Sequence, residues 1–253
     1  MGDWSSWPMN KEVYWPKDEK IIGVLGLGPV ATADFLLRLN SRNMQKDWQY
    51  PRILLDSHSK IPSRGRYFSL GETDPVSYIK SAIEELSVRG ADFVVIPCNT
   101  AHILYDRFAS GLTVPVPNII DITTLAALNR GVRNPLILST STTREKRLYD
   151  DSFSQYEINA AQFPKQQLIT DGIEHVKQNM NYTDIFNSIY EIISLMPNID
   201  SVIFGCTEVS VLMKQLQTKQ EKYICIDSNQ ELADFCLDFV NTSSFDNRIR
   251  MSV

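Results

Sequence analysis

Two cysteines stand in similar sequence surroundings, one in each half of the chain. Residues 93–98 read Phe-Val-Val-Ile-Pro-Cys and residues 201–206 read Ser-Val-Ile-Phe-Gly-Cys, so each thiol follows a strand-like run that ends at Pro or Gly. Polar residues follow each cysteine and lead into a helix-like stretch. A thiol between a strand and a helix N-terminus lies near unpaired N–H groups and can lose its proton near neutral pH. The pattern therefore predicts two acid/base thiols, Cys98 and Cys206, that face one substrate.

The neighbours of these cysteines are poor choices for an apolar core. Asn99, Thr100 and Thr207 carry amide and hydroxyl groups that can donate hydrogen bonds. Glu208 could polarise a neighbouring group or cap its own helix. We expect His102 either to contact the site residues without touching the substrate, or to be an ordinary polar residue of the first helical turn.

The other two cysteines, Cys225 and Cys236, lie inside apolar patterns without polar neighbours, so we predict that both are small core residues. A zinc site built from Cys98, His102 and Cys206 is a further reading of the same residues. It lacks a fourth ligand and the usual zinc spacing, so the sequence favours a site without metal.

The elements that would position the two thiols repeat along the chain. Cys98 precedes Asp121 by 23 residues and Cys206 precedes Asp227 by 21, and each aspartate is predicted to end a short apolar strand before a helix. Such a repeat predicts two similar α/β lobes. Ligands of parallel sheets bind beyond the carboxyl ends of the strands, where both cysteines would lie.

A glycine turn near the start of the fold offers a competing interpretation. Gly26-Leu-Gly28-Pro29-Val-Ala follows a strand and matches the dinucleotide fingerprint, and Asp56 ends the next strand, where a ribose-binding acid would stand. A nicotinamide-dependent oxidoreductase is thus an alternative. Pro29 removes an N–H from the phosphate cradle, however, and this reading leaves both cysteine motifs unexplained.

Arg64 lies in a long polar stretch, residues 57–74, that we predict to be a loop overhanging the cleft. A guanidinium there suits a second carboxylate of the substrate.

The bulk composition narrows the class of protein. The 253 residues carry a net charge of −5 with a pI near 5.3, which argues against a nucleic-acid surface. No apolar run is long enough to span a membrane. Four cysteines without CxxC spacing indicate a reduced, cytoplasmic protein. Residues 1–20 are rich in tryptophan, lack the apolar segment of a secretory signal and are interpreted as an N-terminal extension.

At these motifs the chain resembles the aspartate/glutamate racemase superfamily, and within it the cofactor-independent aspartate racemase branch. The resemblance is carried by residues 25–33, 61–64, 90–102 and 205–212. It implies two flavodoxin-like three-layer α/β/α lobes with parallel sheets, related by a pseudo-twofold axis, with the active site between them. It also implies a homodimer that acts on a small acidic amino acid.

The resemblance assigns roles to individual residues. Cys98 and Cys206 would be the catalytic bases, and Arg64 would bind the distal carboxylate. The groups expected to hold the rest of the substrate are Asn99, Thr100, Thr207, Thr140, Thr143, Gly26 and Gly28.

Two positions depart from the family pattern. Members of the family often have a lysine in a Gln-Lys pair before the helix that follows the long loop of the second lobe. This position aligns best with Gln167, and Lys165 is shifted from it by two residues. The hydroxyl turn from Thr140 to Thr143 lacks the glycine often found there.

The resulting expectation is a racemase of aspartate, glutamate or another amino acid, which uses one thiolate and one thiol and needs no metal or cofactor. A sister isomerase or decarboxylase, such as a maleate isomerase, and a non-catalytic amino-acid-binding protein are the alternatives. We expect a first lobe at residues 21–122, with the helix at 229–241 packed on it. A second lobe at 123–228 and a tail at 242–253 complete the chain.

Overall fold

The computed structural model describes residues 19–40, 46–218, 223–242 and 246–251. The predicted N-terminal extension therefore lies outside the described residues except for its last two positions. Of the predicted tail, residue 242 and the segment from Asp246 to Met251 are described.

Two parallel sheets form the centre of the fold, as the sequence predicted. The first has the order β2-β1-β3 and the second the order β5-β4-β6-β7. The strands are β1 (Ile22–Gly26), β2 (Ile53–Ser57), β3 (Phe93–Val95), β4 (Pro135–Leu138), β5 (Ala161–Gln162), β6 (Ser201–Phe204) and β7 (Ile224–Asp227). In each sheet the strand that leads to Cys98 or Cys206 lies directly beside the first strand of that sheet, β3 beside β1 and β6 beside β4.

Helices connect the strands and cover the sheets. They are α1 (Pro29–Leu39), α2 (Arg64–Leu70), α3 (Val76–Val88), α4 (Tyr105–Ala109), α5 (Ile119–Asn129), α6 (Ser141–Glu145), α7 (Leu148–Phe153), α8 (Gln166–Lys177), α9 (Thr183–Leu195), α10 (Thr207–Leu212), α11 (Lys214–Thr218) and α12 (Ser228–Thr242). A 3₁₀ segment, Asn99–Leu104, follows Cys98.

The two sheets share one apolar core. Side chains alternate between the two faces of each strand, so one face of each sheet points into this core and the other points away from it. Ile22 of β1 and Ile203 of β6 enter the shared core together with side chains of α1, α5 and α12. Leu25 of β1 faces a second cluster under α3 and α4, whereas Val202 of β6 faces a third under α8, α9 and α10. One helical layer thus lies between the sheets. The predicted lobe boundaries near residues 122 and 228 stay a prediction.

Buried polar contacts cross this shared layer. Arg38 of α1 pairs with Asp34 one turn earlier (Nε to Oδ2, 2.6 Å) and with Asp227 at the end of β7 (Nη1 to Oδ2, 2.8 Å). Ser210 of α10 donates to Asp227 at 2.6 Å, and Asn229 donates to Asp34 at 3.0 Å. All five residues are buried. The first sheet's helix α1 is therefore tied to the carboxyl end of β7.

Two local predictions were wrong. Asp121 does not end a strand but lies in the first turn of α5, which Asn118 caps by accepting a hydrogen bond from the N–H of Ile120 at 2.8 Å. The preceding segment contains prolines without N–H groups, and within the described residues its pairing consists of a hydrogen bond from Val94 to the carbonyl of Pro115 and an isolated bridge from Pro117 to Met251. The polar stretch 57–74 is not all loop, because Ser63 caps the short helix α2, of which Arg64 is the first residue.

We predict that Arg38→Met lowers the free energy of unfolding by about 3–5 kcal/mol, because it leaves two buried carboxylates without their cation. Urea denaturation at pH 7 measures this loss. The matched control is Arg130→Met, which removes a half-exposed partner of Glu231 and should cost at most about 1 kcal/mol. Equal losses in both variants would contradict the role of Arg38.

Candidate active site

Cys98 lies on extended backbone (φ −157°, ψ 102°) between β3 and the 3₁₀ segment. Its side chain is partly exposed. The sequence predicted a helical stretch after this cysteine, and the first turns are 3₁₀ before α4 begins at Tyr105. The backbone geometry therefore presents the Cys98 thiol at the carboxyl edge of the first sheet.

Cys206 occupies the corresponding position in the second sheet, on extended backbone (φ −152°, ψ 136°) before α10. Its thiol is buried and donates to Oε2 of Glu208 at 3.2 Å. Burial and the charge of Glu208 raise the pKa of Cys206 well above its usual value, although the N–H groups of Val209 and Glu208 favour the thiolate. These surroundings favour the thiol form of Cys206.

Asn99 links the Cys98 segment to the second lobe. Its Nδ2 donates to Ser228 Oγ at 2.9 Å, and its Oδ1 accepts from the hydroxyl of Tyr149 at 2.6 Å. Ser228 in turn donates to the carbonyl of Phe204, two residues before Cys206, at 2.8 Å. Two hydrogen bonds through Ser228 therefore connect the two cysteine motifs.

Three threonine hydroxyls, one from the Cys98 motif and two from the turn after β4, form a cluster. Thr100 Oγ1 lies 3.1 Å from the hydroxyls of both Thr140 and Thr143, which are 3.0 Å from each other. Thr140 caps α6 from ordinary extended backbone (φ −63°, ψ 154°), so no glycine is required in this turn. The structure thus brings together three of the hydroxyls that the sequence predicted for the site, and explains the missing glycine.

A cleft of about 370 Å³ opens between the glycine turn and the second lobe. Gly28, Arg64, Lys177 and Glu208 are among its lining residues. A Cβ on Gly28 would lie 3.0 Å from Oε1 of Glu208, so a side chain there would crowd the carboxylate. Glu208 also accepts from Cys206, so that thiol contacts a lining residue of the cleft.

Gly26 and Arg64, two of the predicted substrate-binding residues, differ in their surroundings. The position of a Cβ on Gly26 is filled by Thr32, 2.3 Å away, so Gly26 serves local packing. Nη1 of Arg64 donates to the carbonyl of Pro62 at 3.2 Å, while its buried Nε has no partner among the described residues. Arg64 therefore keeps a donor available at the cleft.

The carboxylate of Glu208 next to Gly28 also bears on the dinucleotide alternative. A pyrophosphate in this turn would meet a negative charge close to Gly28, and Pro29 offers it no N–H. The geometry disfavours a phosphate cradle here.

Lys177 is a residue of this cleft that the sequence analysis missed. Gln167, the position aligned with the family lysine, instead donates to the half-buried Asp171 at 2.8 Å, and Lys165 precedes α8 at its other end. Nζ of Lys177 lies 2.8 Å from Glu174. Burial opposes its charge, but Glu174, Glu208 and Cys206 outweigh this and raise the pKa of Lys177. Lys177 is thus charged and electrostatically coupled to the Cys206 thiol.

His102 lies behind Cys98 rather than in the cleft. Its ring is buried and its Nδ1 lies 2.9 Å from the carbonyl oxygen of Cys98. Burial lowers the pKa of His102 to about 4, so the ring is neutral at pH 7 and its Nδ1–H donates to that carbonyl. Among the described residues no group of three or more His, Cys, Asp or Glu side chains is arranged to hold a metal ion.

A larger cavity of about 540 Å³ lies beside His102, with Asp121, Lys146 and Arg250 among its lining residues. The remaining cysteines are apart from the cleft. Cys236 is buried in the shared core and Cys225 packs on the third apolar cluster.

Known proteins resemble this chain over most of its length. A family model described as Asp/Glu/Hydantoin racemase matches residues 24–236. The broad specificity amino-acid racemase RacX of Bacillus subtilis (strain 168) is 25% identical over 214 residues, which are 79% of this chain and 90% of that protein.

Solved structures agree with this comparison. The aspartate racemase of Picrophilus torridus has a TM-score of 0.76 and 29% identity, covering 88% of this chain and 94% of that one. The glutamate racemase isoform RacE1 of Bacillus anthracis shares the fold with a TM-score of 0.66 at 19% identity, covering 90% of this chain and 84% of that one.

The buried neutral histidine gives a prediction about acid stability. Its folded pKa of about 4 lies below the unfolded value of 6.5, so its contribution is complete above pH 6.5 and is lost as the pH falls toward 4. We expect the wild type to lose about 2.5 kcal/mol more stability than His102→Asn between pH 7 and pH 4.5. Urea denaturation at both pH values measures the difference, and parallel losses in the two proteins would show that His102 is not buried as a neutral ring.

Proposed function

Because the chain belongs to the Asp/Glu/Hydantoin racemase family, we propose that this amino-acid racemase interconverts the L and D forms of an acidic amino acid without a cofactor. Cys98 and Cys206 exchange the α-proton on opposite faces of Cα. The observation that carries the proposal is the matching placement of the two thiols, each on an extended residue after the strand beside the first strand of its sheet. One base cannot easily serve both faces of a carbon, whereas two can.

The contacts of Cys206 support an assignment of the two protonation states. Glu208 and burial hold Cys206 as a thiol, so it donates a proton to Cα in one direction of the reaction. In that direction Cys98 enters as the thiolate, takes the α-proton from the other face and leaves as the thiol. The reverse direction begins from the opposite state, with Cys98 as the thiol and Cys206 as the thiolate.

The α-carboxylate gains negative charge as the proton leaves, and preorganised donors must stabilise it. We propose that the amide of Asn99 and the hydroxyls of Thr100, Thr140, Thr143 and Thr207 supply these donors. Three of these hydroxyls already lie within 3.1 Å of one another, so a bound carboxylate would replace bonds that they make among themselves.

The cationic side chains in the cleft support the proposal that the substrate has an acidic side chain. Arg64 and Lys177 line the same cleft, and Arg64 has an unused Nε donor. Two cations that line one cleft suit the distal carboxylate of aspartate or glutamate. We propose that Lys177 supplies the positive charge of the family lysine, whose aligned position in this chain is Gln167.

Aspartate is our first choice of substrate, followed by glutamate. The similarity to a broad specificity racemase makes other amino acids the next choice. A homodimer and a cytoplasmic location are part of the same proposal. None of the helices in the described residues is long and apolar enough to cross a membrane.

Proton NMR of L-aspartate and L-glutamate in D₂O, under reducing conditions and without added cofactor, tests the proposal. We expect loss of the α-proton signal and formation of the D-enantiomer. Cys98→Ser and Cys206→Ser should each abolish turnover, because each removes one of two required acid/base groups. The control variants Cys225→Ser and Cys236→Ser should stay active.

Other outcomes select an alternative. Stabilisation by an amino acid without α-proton exchange would indicate a binding protein, and dependence on one cysteine alone would favour a sister isomerase or decarboxylase. Binding of NAD(H) would point to the oxidoreductase.

The role of Lys177 gives a separate prediction about specificity. Lys177→Met should raise the KM for aspartate by about tenfold, because a charge-assisted contact with the distal carboxylate is lost. Racemisation of an uncharged amino acid such as alanine, if measurable, should not be weakened. Lys165→Met, at the other end of α8, is the matched control and should leave the KM unchanged.

A further inference from the structure

The C-terminal strap, which we define as Asp246–Met251, lies against the start of α5. The backbone N–H, Nε and Nη2 of Arg250 donate to the carboxylate of Asp121 at 2.9, 2.8 and 3.0 Å. The carbonyl oxygen of Arg250 accepts from the N–H of Asn118 and from the hydroxyl of Tyr105, each at 3.0 Å. Arg250 is thus bound to the body of the protein through both its backbone and its side chain.

The contacts of Arg250 continue to Cys98 through two aromatic rings. Its guanidinium carbon lies 5.3 Å from the centre of the Tyr105 ring. The His102 ring is nearly parallel to Tyr105, with centres 5.8 Å apart and planes inclined by 13°. His102 then donates to the carbonyl of Cys98 at 2.9 Å. Three contacts therefore join the guanidinium to the backbone of a proposed catalytic residue.

We propose that Arg250 is a positioning residue for Cys98, acting through Tyr105 and His102, and that the strap is the element that supplies it. This inference rests on the proposed function of Cys98. The strap gives the catalytic segment a support that comes from the far end of the chain, more than a hundred residues away in sequence.

The local structure explains why Cys98 needs such a support. The residues that follow it form a 3₁₀ segment, whose hydrogen bonds have poorer geometry than those of an α-helix. A short segment of this kind does not by itself fix the direction of the thiol. Small displacements of a reacting group reduce the rate strongly, because proton transfer requires close alignment.

The location of Arg250 separates positioning from substrate binding. Arg250 lines the larger cavity with His102, whereas Arg64 and Lys177 line the cleft. Loss of Arg250 should therefore change the chemical step and leave substrate affinity unchanged.

The strap also offers a matched control. Arg248 is another arginine of the same strap, and its guanidinium pairs with Asp246 within the strap itself. A general weakening of the strap and a specific loss of the Arg250 contacts can thus be compared at two arginines that lie two residues apart.

The kinetic experiment uses the full chain. Arg250→Ala should lower kcat for racemisation by about tenfold with KM within twofold of wild type. Arg250→Lys, which keeps the charge but loses the paired donors, should retain more activity, and Arg248→Ala should match wild type. In a His102→Asn background, Arg250→Ala should cause little further loss, because the path to Cys98 is already broken.

Three kinetic results would overturn the inference. These are a full kcat in Arg250→Ala, a loss that falls on KM, and a loss that adds in full to that of His102→Asn. Thermal denaturation identifies a variant that is unfolded at the assay temperature, in which case Arg250→Lys carries the comparison.

Hydrogen–deuterium exchange provides a readout that does not depend on activity. Peptides covering residues 98–104 should exchange faster in Arg250→Ala than in wild type, and no faster in Arg248→Ala. If the protein racemises amino acids but the backbone amides of residues 98–104 exchange at the wild-type rate in Arg250→Ala, only the positioning role is overturned. If these backbone amides exchange faster in Arg250→Ala but the wild type exchanges no substrate α-proton, the structural coupling is supported and the proposed function is contradicted.

Discussion

Alongside the shared apolar core, the buried guanidinium of Arg38 ties the first sheet's helix α1 to the second sheet. Arg38 contacts the carboxylates of Asp34 and Asp227, which come from the first lobe's helix α1 and from the end of β7. Two carboxylates this deep in the protein are tolerated only with a cation between them, so the geometry of the pair is strongly constrained. Because the shared helical layer carries this contact, the carboxyl ends of β3 and β6 hold fixed positions, and each of these ends carries a cysteine.

The two thiols have similar backbone positions but different surroundings. Cys206 is buried next to Glu208, and both effects favour the protonated form. Cys98 is partly exposed and is held from behind by neutral His102. A two-base reaction requires one acid and one base at the start of each turnover, so unequal surroundings are chemically useful. The fold repeats the strand and turn in each lobe, while the residues that follow each cysteine create the difference.

Much of this arrangement could be predicted from the sequence. Apolar runs predicted the strands that precede Cys98 and Cys206. Contacts between distant segments were not predictable in the same way. Two helices, α8 and α9, connect β5 to β6, so the sequence did not show which end of α8 meets the cleft, and Lys177 was missed. Asn118 and neighbouring prolines likewise turned an expected strand before Asp121 into a helix start.

An acidic chain can bind an acidic substrate when a few cations are placed at the site. For the proposed acidic substrate, the net charge of −5 gives no general attraction, and the local attraction would come from Arg64 and Lys177 in the cleft. Lys177 is also coupled to Cys206, and its positive charge favours the thiolate there. A distal carboxylate paired with Lys177 would weaken that influence and leave Glu208 dominant. In the proposed reaction, binding of an acidic substrate thus strengthens the proton-donating state of Cys206, whereas a neutral amino acid would not.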